Sequence, residues 1–152
     1  MDKDKLKKAY NKFIEKLELD SFHTIKCNYF INTEVSGIKK NVRIQIISSE
    51  ELIEREEWNQ EKFAARAIYS VIGRKGKKIF FRIDTVNQFY FSTEVPITQE
   101  LFELFCEFSF QAMAWPYFRE MVANASIRMG LPLLQIPLLK RIPRKVDKGG
   151  SE

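Results

Sequence analysis

The chain has few residues able to do chemistry: one histidine, His23, and two cysteines, Cys27 and Cys106. His23 stands alone in a run of alternating polar and apolar residues, where it reads as a structural or surface side chain. The cysteines lack the spacing of metal ligands. Both sit among apolar neighbours and read as reduced, buried thiols of a reducing cytosol. Gly73-Arg74-Lys75-Gly76 has neither the spacing nor the strand-to-helix setting of a phosphate-binding loop. The acidic run Glu50, Glu51, Glu54, Glu56, Glu57 and Glu61 lies in a polar stretch, without the desolvation that tunes a general acid. No serine-nucleophile motif is present. The residues therefore argue against an enzyme, and no cofactor or metal is expected.

Charge narrows the partners. The 152 residues carry a formal charge of +5, concentrated at Lys3, Lys5, Lys7, Lys8, Lys12 and Lys16 and again between Lys140 and Lys148. Basic ends on a balanced body give a weakly anion-seeking protein. The stretch GRKGKKIFFRI places basic residues beside strand aromatics, as an RNA-binding strand would. However, Ile79, Phe81 and Ile83 share one face while Phe80 falls with Arg82 and Asp84, and the glycine–aromatic alternation is missing. Nucleic acid is a minor reading, kept as an alternative in which the fold is a basic, nucleic-acid-associated adaptor. No apolar run approaches the roughly 20 residues of a membrane span, so membrane insertion is not expected. The charged N-terminus argues against a secretory signal, and the expected location is the cytoplasm.

The elements that would position these residues are legible as one domain, 1–152, since 45% of residues are hydrophobic, too many for a disordered chain. Leu6, Tyr10, Phe13, Ile14 and Leu17 predict an amphipathic helix within 1–20. Alternation predicts strands at 22–32, with Ile25, Cys27, Tyr29 and Ile31 on one face, and at 41–47, with Val42, Ile44 and Ile46 on one face. Ser48 and Glu51 predict a capping box for a short helix that interrupts the sheet over 49–61. Two further strands are expected at 63–73 and 78–92, joined by a turn at Gly76 and bent at Asn87-Gln88. The fold class is α+β: a four-stranded antiparallel meander at 22–92, then a helical half at 98–130 and a basic tail at 139–152.

Thr98 is the expected cap of the long helix. Leu101, Leu104, Phe105, Phe108, Ala112 and Trp115 make one apolar face, and Phe102, Cys106, Phe110 and Met113 make a second. One face can cover the sheet; the other needs a cover as well. Pro116 removes the bond to the Ala112 carbonyl, so a kink or restart is expected there. Gly130 and Pro132 mark the stop, and the apolar run LPLLQIPLL follows.

The register of Trp115, Pro116, Tyr117, Arg119 and Glu120, then Arg128 and Gly130, then Pro132 and Pro137, resembles the SecB export-chaperone family. The resemblance implies a four-stranded antiparallel sheet with a long helix on one face, assembled as a dimer of dimers. It implies an ATP-independent holdase for unfolded or partly folded client proteins. The family's groove corresponds here to Val42, Ile44, Ile46, Leu131, Leu134 and Ile136. Its motif residues, Trp115, Pro116, Tyr117, Arg119, Glu120, Arg128 and Gly130, are structural or oligomer-forming. Trp58 is a further candidate for the groove. Export members are acidic and recognise the translocase motor through acidic surface; the basic tail here fits better the relatives that guard the antitoxin of a toxin–antitoxin system.

Overall fold

In the computed structural model, which describes residues 2–33, 42–53 and 61–131, the order is α1 (Lys3–Lys16), β1 (Glu18–Ile31), β2 (Val42–Ile53), β3 (Lys62–Lys75), β4 (Lys78–Ser92), α2 (Gln99–Phe105), a π-helical turn (Cys106–Phe110) and α3 (Gln111–Arg128). The four strands form one antiparallel sheet in the order β1-β4-β3-β2. The expected meander therefore holds for β2, β3 and β4, whereas β1 crosses over to lie beside β4. Strands β1 and β2 are the two edges.

Turn chemistry sets the central hairpin. Lys75 pairs with Lys78, leaving Gly76 and Lys77 as the loop, and Gly76 takes φ +61°, a conformation only glycine adopts at no steric cost. Beside it, Gly73 faces Phe81 across the ladder, and a Cβ at Gly73 would stand 2.1 Å from the Phe81 ring.

The sheet departs from the expected outline in three places. Strand β2 runs on to Ile53, so Ser48 and Glu51 pair with Tyr69 and Arg66 and cap no helix; residues 54–60, with Trp58, lie outside the described residues. Asn87 and Gln88 continue β4 without a bend. Both are buried and satisfied: Asn87 accepts from Thr24 Oγ1 at 3.0 Å, and Gln88 accepts from Arg66 Nε at 2.7 Å. In β1, register shifts fall at Asp20 and Ile25. The Ile25 bulge changes the face-sharing set, so Phe22, Thr24, Cys27, Tyr29 and Ile31 stand opposite Phe89, Asn87, Thr85, Ile83 and Phe81.

The long helix caps as expected: Thr98 Oγ1 accepts from the Leu101 N–H at 3.2 Å. At the far end Leu131 N–H reaches the Ser126 carbonyl at 3.0 Å and Gly130 N–H the Ile127 carbonyl at 3.1 Å, with Gly130 at φ +69°. That is a Schellman stop. In between, the helix does not restart at Pro116, which lies inside α3. The irregularity is the π turn just upstream. Both expected faces supply buried residues: Leu101, Phe105 and Trp115 from the first, and Phe102, Cys106 and Phe110 from the second. Phe102, Cys106, Phe110, Ala114, Phe118, Val122 and Ser126 are all buried and repeat every four residues, overshooting an α-turn of about 3.6 residues at each step. A π turn takes more residues per revolution and brings the stripe back over the sheet. Phe108 and Ala112, from the other expected face, are left exposed.

The core lies between this helical layer and one face of the sheet. The 13 phenylalanines, the compositional outlier, are its substance: all except Phe22, Phe30 and Phe108 are buried. Phe105 meets Phe13, Phe63 and Phe91 edge-on, and Phe110 meets Phe89 edge-on at 5.2 Å. Such pairs add about 0.5–1.5 kcal/mol each beyond burial. Phe13, fully buried, ties α1 into the same core.

Candidate groove at the sheet edge

Alternation along β2, in register with β3, puts Val42, Ile44 and Ile46 in one row opposite Lys75, Gly73 and Val71, on the face that the helices cover. Val42 and Ile46 pack half-buried against the core, but Ile44 is 51% exposed. Ile47, on the opposite face of the strand, is 46% exposed. Because β2 is an edge among the described residues, its outer backbone donors and acceptors have no partner strand among them. Exposed isoleucines on an open edge make a surface that an extended chain could join by strand addition. Farther along, the row turns polar at Ser48 and Glu50, where Tyr69 donates to Glu50 Oε1 at 3.1 Å; on the opposite face Arg66 pairs with Glu51 at 3.5 Å.

Leu131, just past the Schellman stop, is buried at 8% exposure and belongs to the core. Leu134 and Ile136 lie outside the described residues. Three of the six proposed groove residues thus share one strand row, and Leu131 is part of the core.

The motif residues divide by role. Trp115 is buried against Tyr69, at 5.9 Å between ring centroids, and Phe118, at 5.3 Å. Tyr117 reaches toward β1 on the same face, tilted on Phe22 at 4.3 Å and Phe89 at 5.8 Å. These two aromatics seat α3 across the central strands. Pro116, Glu120 and Arg128 are exposed and Arg119 is half-buried, so Pro116 faces outward from the sheet.

Sequence reasoning missed a second recess. Cys27 and Tyr29 of β1 and Met121, Asn124, Ala125 and Arg128 of α3 line an open hollow of about 190 Å³. The signal was present in Met121, Ala125 and Arg128 at helical spacing opposite Cys27 and Tyr29 at strand spacing. Cys27 is an exposed residue rather than the buried thiol expected, whereas Cys106 is buried; neither forms a disulfide among the described residues. Partial burial of the sulfur nevertheless pushes the Cys27 thiol up, against the charge of Arg128. The β1 edge beside this recess exposes Leu19, Ile25, Tyr29 and Phe30 at 40–51%.

On the sheet face away from the helices, Arg82 Nε donates to Asp84 at 2.8 Å and Ser70 donates to it at 2.6 Å. Partial burial alone would raise the Asp84 carboxyl, but the bonds from Arg82 and Ser70, with the charges of Arg82 and Lys26, hold it below the usual range. His23 lies edge-on to Tyr90 at 5.5 Å. Among the described residues no group of His, Cys, Asp and Glu could hold a metal ion, and no helix is long and apolar enough to cross a membrane.

The sequence matches no family model and no curated protein. The fold is similar to the SecB-like chaperone Rv1957 of Mycobacterium tuberculosis, solved in complex with a ChAD peptide from the Rv1956 HigA1 antitoxin. The TM-score is 0.73 at 13% identity, over 89% of this chain and 99% of that one. A protein of unknown function from Streptococcus agalactiae gives a TM-score of 0.45 at 11% identity, over 80% of this chain and 97% of its own, and adds no argument.

Proposed function

We propose that this SecB-like chain is an ATP-independent holdase that keeps an unfolded or partly folded client protein from aggregating. The observation that carries the reading is the apolar row Val42, Ile44 and Ile46 on an open edge strand, in a fold shared with a chaperone that binds an antitoxin peptide. The client is held in extended form, its backbone pairing with β2 and its apolar side chains covering Ile44 and Ile46. Each aliphatic side chain removed from water contributes about 1.5–3 kcal/mol. Leu131 anchors the segment that carries Leu134 and Ile136, which complete the groove.

The working unit is a dimer of dimers in the cytoplasm. An antitoxin or another dedicated client suits this chain better than general export, because a formal charge of +5 disfavours the acidic contact that export members make with the translocase motor. Trp115, Tyr117 and Gly130 shape the helix, and Pro116, Arg119, Glu120 and Arg128 serve assembly.

The test is aggregation of a chemically unfolded client, followed by light scattering. Stoichiometric protein should delay aggregation, and Ile44→Asp should remove the delay while mass and far-UV circular dichroism stay unchanged. A folded wild-type sample that gives no delay would sink the proposal.

A further inference from the structure

Charge along the open edge β2 has a direction. At the start of the strand, Arg43 stands directly opposite Arg74 of β3. Side chains so paired have Cβ atoms about 4.5–5.5 Å apart, and like charges there destabilise a sheet. No acid lies close in the chain to relieve them: residues 42–49 and 67–83 contain no Asp or Glu. The hairpin that follows Arg74 adds the exposed Lys77 and Lys78. Among the described residues the ion pairs are Lys16–Glu94, Arg66–Glu51 and Arg82–Asp84, and neither Arg43 nor Arg74 joins one. An acid in place of either arginine would turn a repulsive cross-strand pair into an attractive one. The sheet itself gains nothing from two arginines here.

The other end of the strand is acidic, but its acids are engaged. Glu50 accepts from Tyr69, and Glu51 pairs with Arg66. Between the ends lie the exposed Ile44 and Ile47 and the half-buried Ile46. A strand seated on this edge meets uncompensated positive charge at one end, apolar side chains in the middle and engaged acids at the other.

We propose that the Arg43–Arg74 pair is a specificity site for the client, selecting an extended apolar segment that carries an Asp or Glu at one end. The inference rests on the proposed client edge and names what that edge takes. The client carboxylate lies against Arg43 on the sheet face away from the helices. The positions that follow are apolar over Ile44, variable beside Gln45, and apolar over Ile46 and Ile47. Arginine suits the task, because its planar guanidinium can hold a carboxylate through two parallel hydrogen bonds. A nucleic acid would use the arginines but leave the isoleucines beside them without a role.

The experiment follows fluorescence anisotropy of labelled, end-capped peptides added to the full chain. All share one alternating Ile–Thr core and carry Asp, Asn or Lys at either the N-terminal or the C-terminal end. Asp at one end only should tighten binding about two- to five-fold over Asn, the range of an opposite-charge cross-strand pair. Lys at that same end should weaken it. Salt at about 1 M, where the screening length falls to about 3 Å, should erase the difference. Arg43→Glu should abolish the preference and yet raise the urea midpoint, since the new carboxylate faces Arg74. Arg43→Glu with Arg74→Gln should invert the preference. Should that pair fail by circular dichroism to fold, Arg43→Gln, which removes charge alone, should bring the Asp and Asn peptides together. Equal affinity for all peptides overturns the proposal, as does an equal gain from Asp at both ends, which the net charge of +5 alone would give. So does a single-stranded RNA whose binding is lost in Arg43→Glu while the peptide preference is not. Ile44→Asp keeps the two readings apart. Equal peptide affinities that Ile44→Asp abolishes overturn the charge site and leave the holdase reading standing, whereas wild-type protein that binds no peptide overturns both.

Discussion

At the scale of single residues, the chain spends its polar interior on structure. Asp84 shows how. Its carboxyl is held low by Arg82 and Ser70, and a carboxyl whose folded pKa lies below its unfolded value stabilises the fold above that unfolded value. The contribution is complete at neutral pH and fades as pH falls below about 4 and on through the depressed folded value. Asp84→Asn should therefore cost about 1 kcal/mol at pH 7, discounted for the partial exposure of both partners. The gap to wild type should narrow below pH 4 in urea unfolding. A gap that holds constant down to pH 2 would remove Asp84 from this role. The shared face of Arg82 and Asp84 was legible in the alternation of β4, but Ser70 joins them only when β3 and β4 pair. The same holds for Cys27: its apolar neighbours suggested burial, but the bulge at Ile25 and the edge position of β1 leave it exposed.

At the scale of elements, periodicity read the type of each element correctly wherever one face is buried, and failed where a local rule was overridden by pairing. The Ser48–Glu51 capping signal lost to β3, whose Arg66 and Tyr69 give Glu51 and Glu50 partners in a strand. The helix was read as two-faced because a uniform α-period was laid over a segment that contains a π turn. Pro116 drew the expected break to itself, although α3 runs on past it. The hairpin offers a test of how tightly the elements are fitted. Gly73 avoids no backbone strain; it makes room for the Phe81 ring, which is 2% exposed and has no free direction to move. Gly73→Ala should cost about 1–3 kcal/mol as an overpacking change. In a Phe81→Leu background, chemical denaturation should show that cost reduced. Equal costs in both backgrounds would mean that the crowding lies elsewhere.

At the scale of the whole molecule, the phenylalanine-rich core and the order of strands before helices were readable, but the crossover that makes β1 an edge was not, since alternation says nothing about which strand neighbours which. That topology gives the fold two open edges of different character. Edge β1 exposes Leu19, Ile25, Tyr29 and Phe30 along a 14-residue strand; edge β2 exposes Ile44 and Ile47 and then turns acidic at Glu50 and Glu51. Long apolar edges seek a partner strand unless something blunts them, and the more apolar of two surfaces suits a permanent contact. On this argument we extend the proposal: β1 joins subunits and β2 takes the client. Ile25→Lys with Phe30→Lys should halve the mass in light scattering and leave the delay of client aggregation intact. Ile44→Asp should do the reverse. A β1 pair that keeps wild-type mass but no longer holds client would exchange the two assignments, making β1 the client edge.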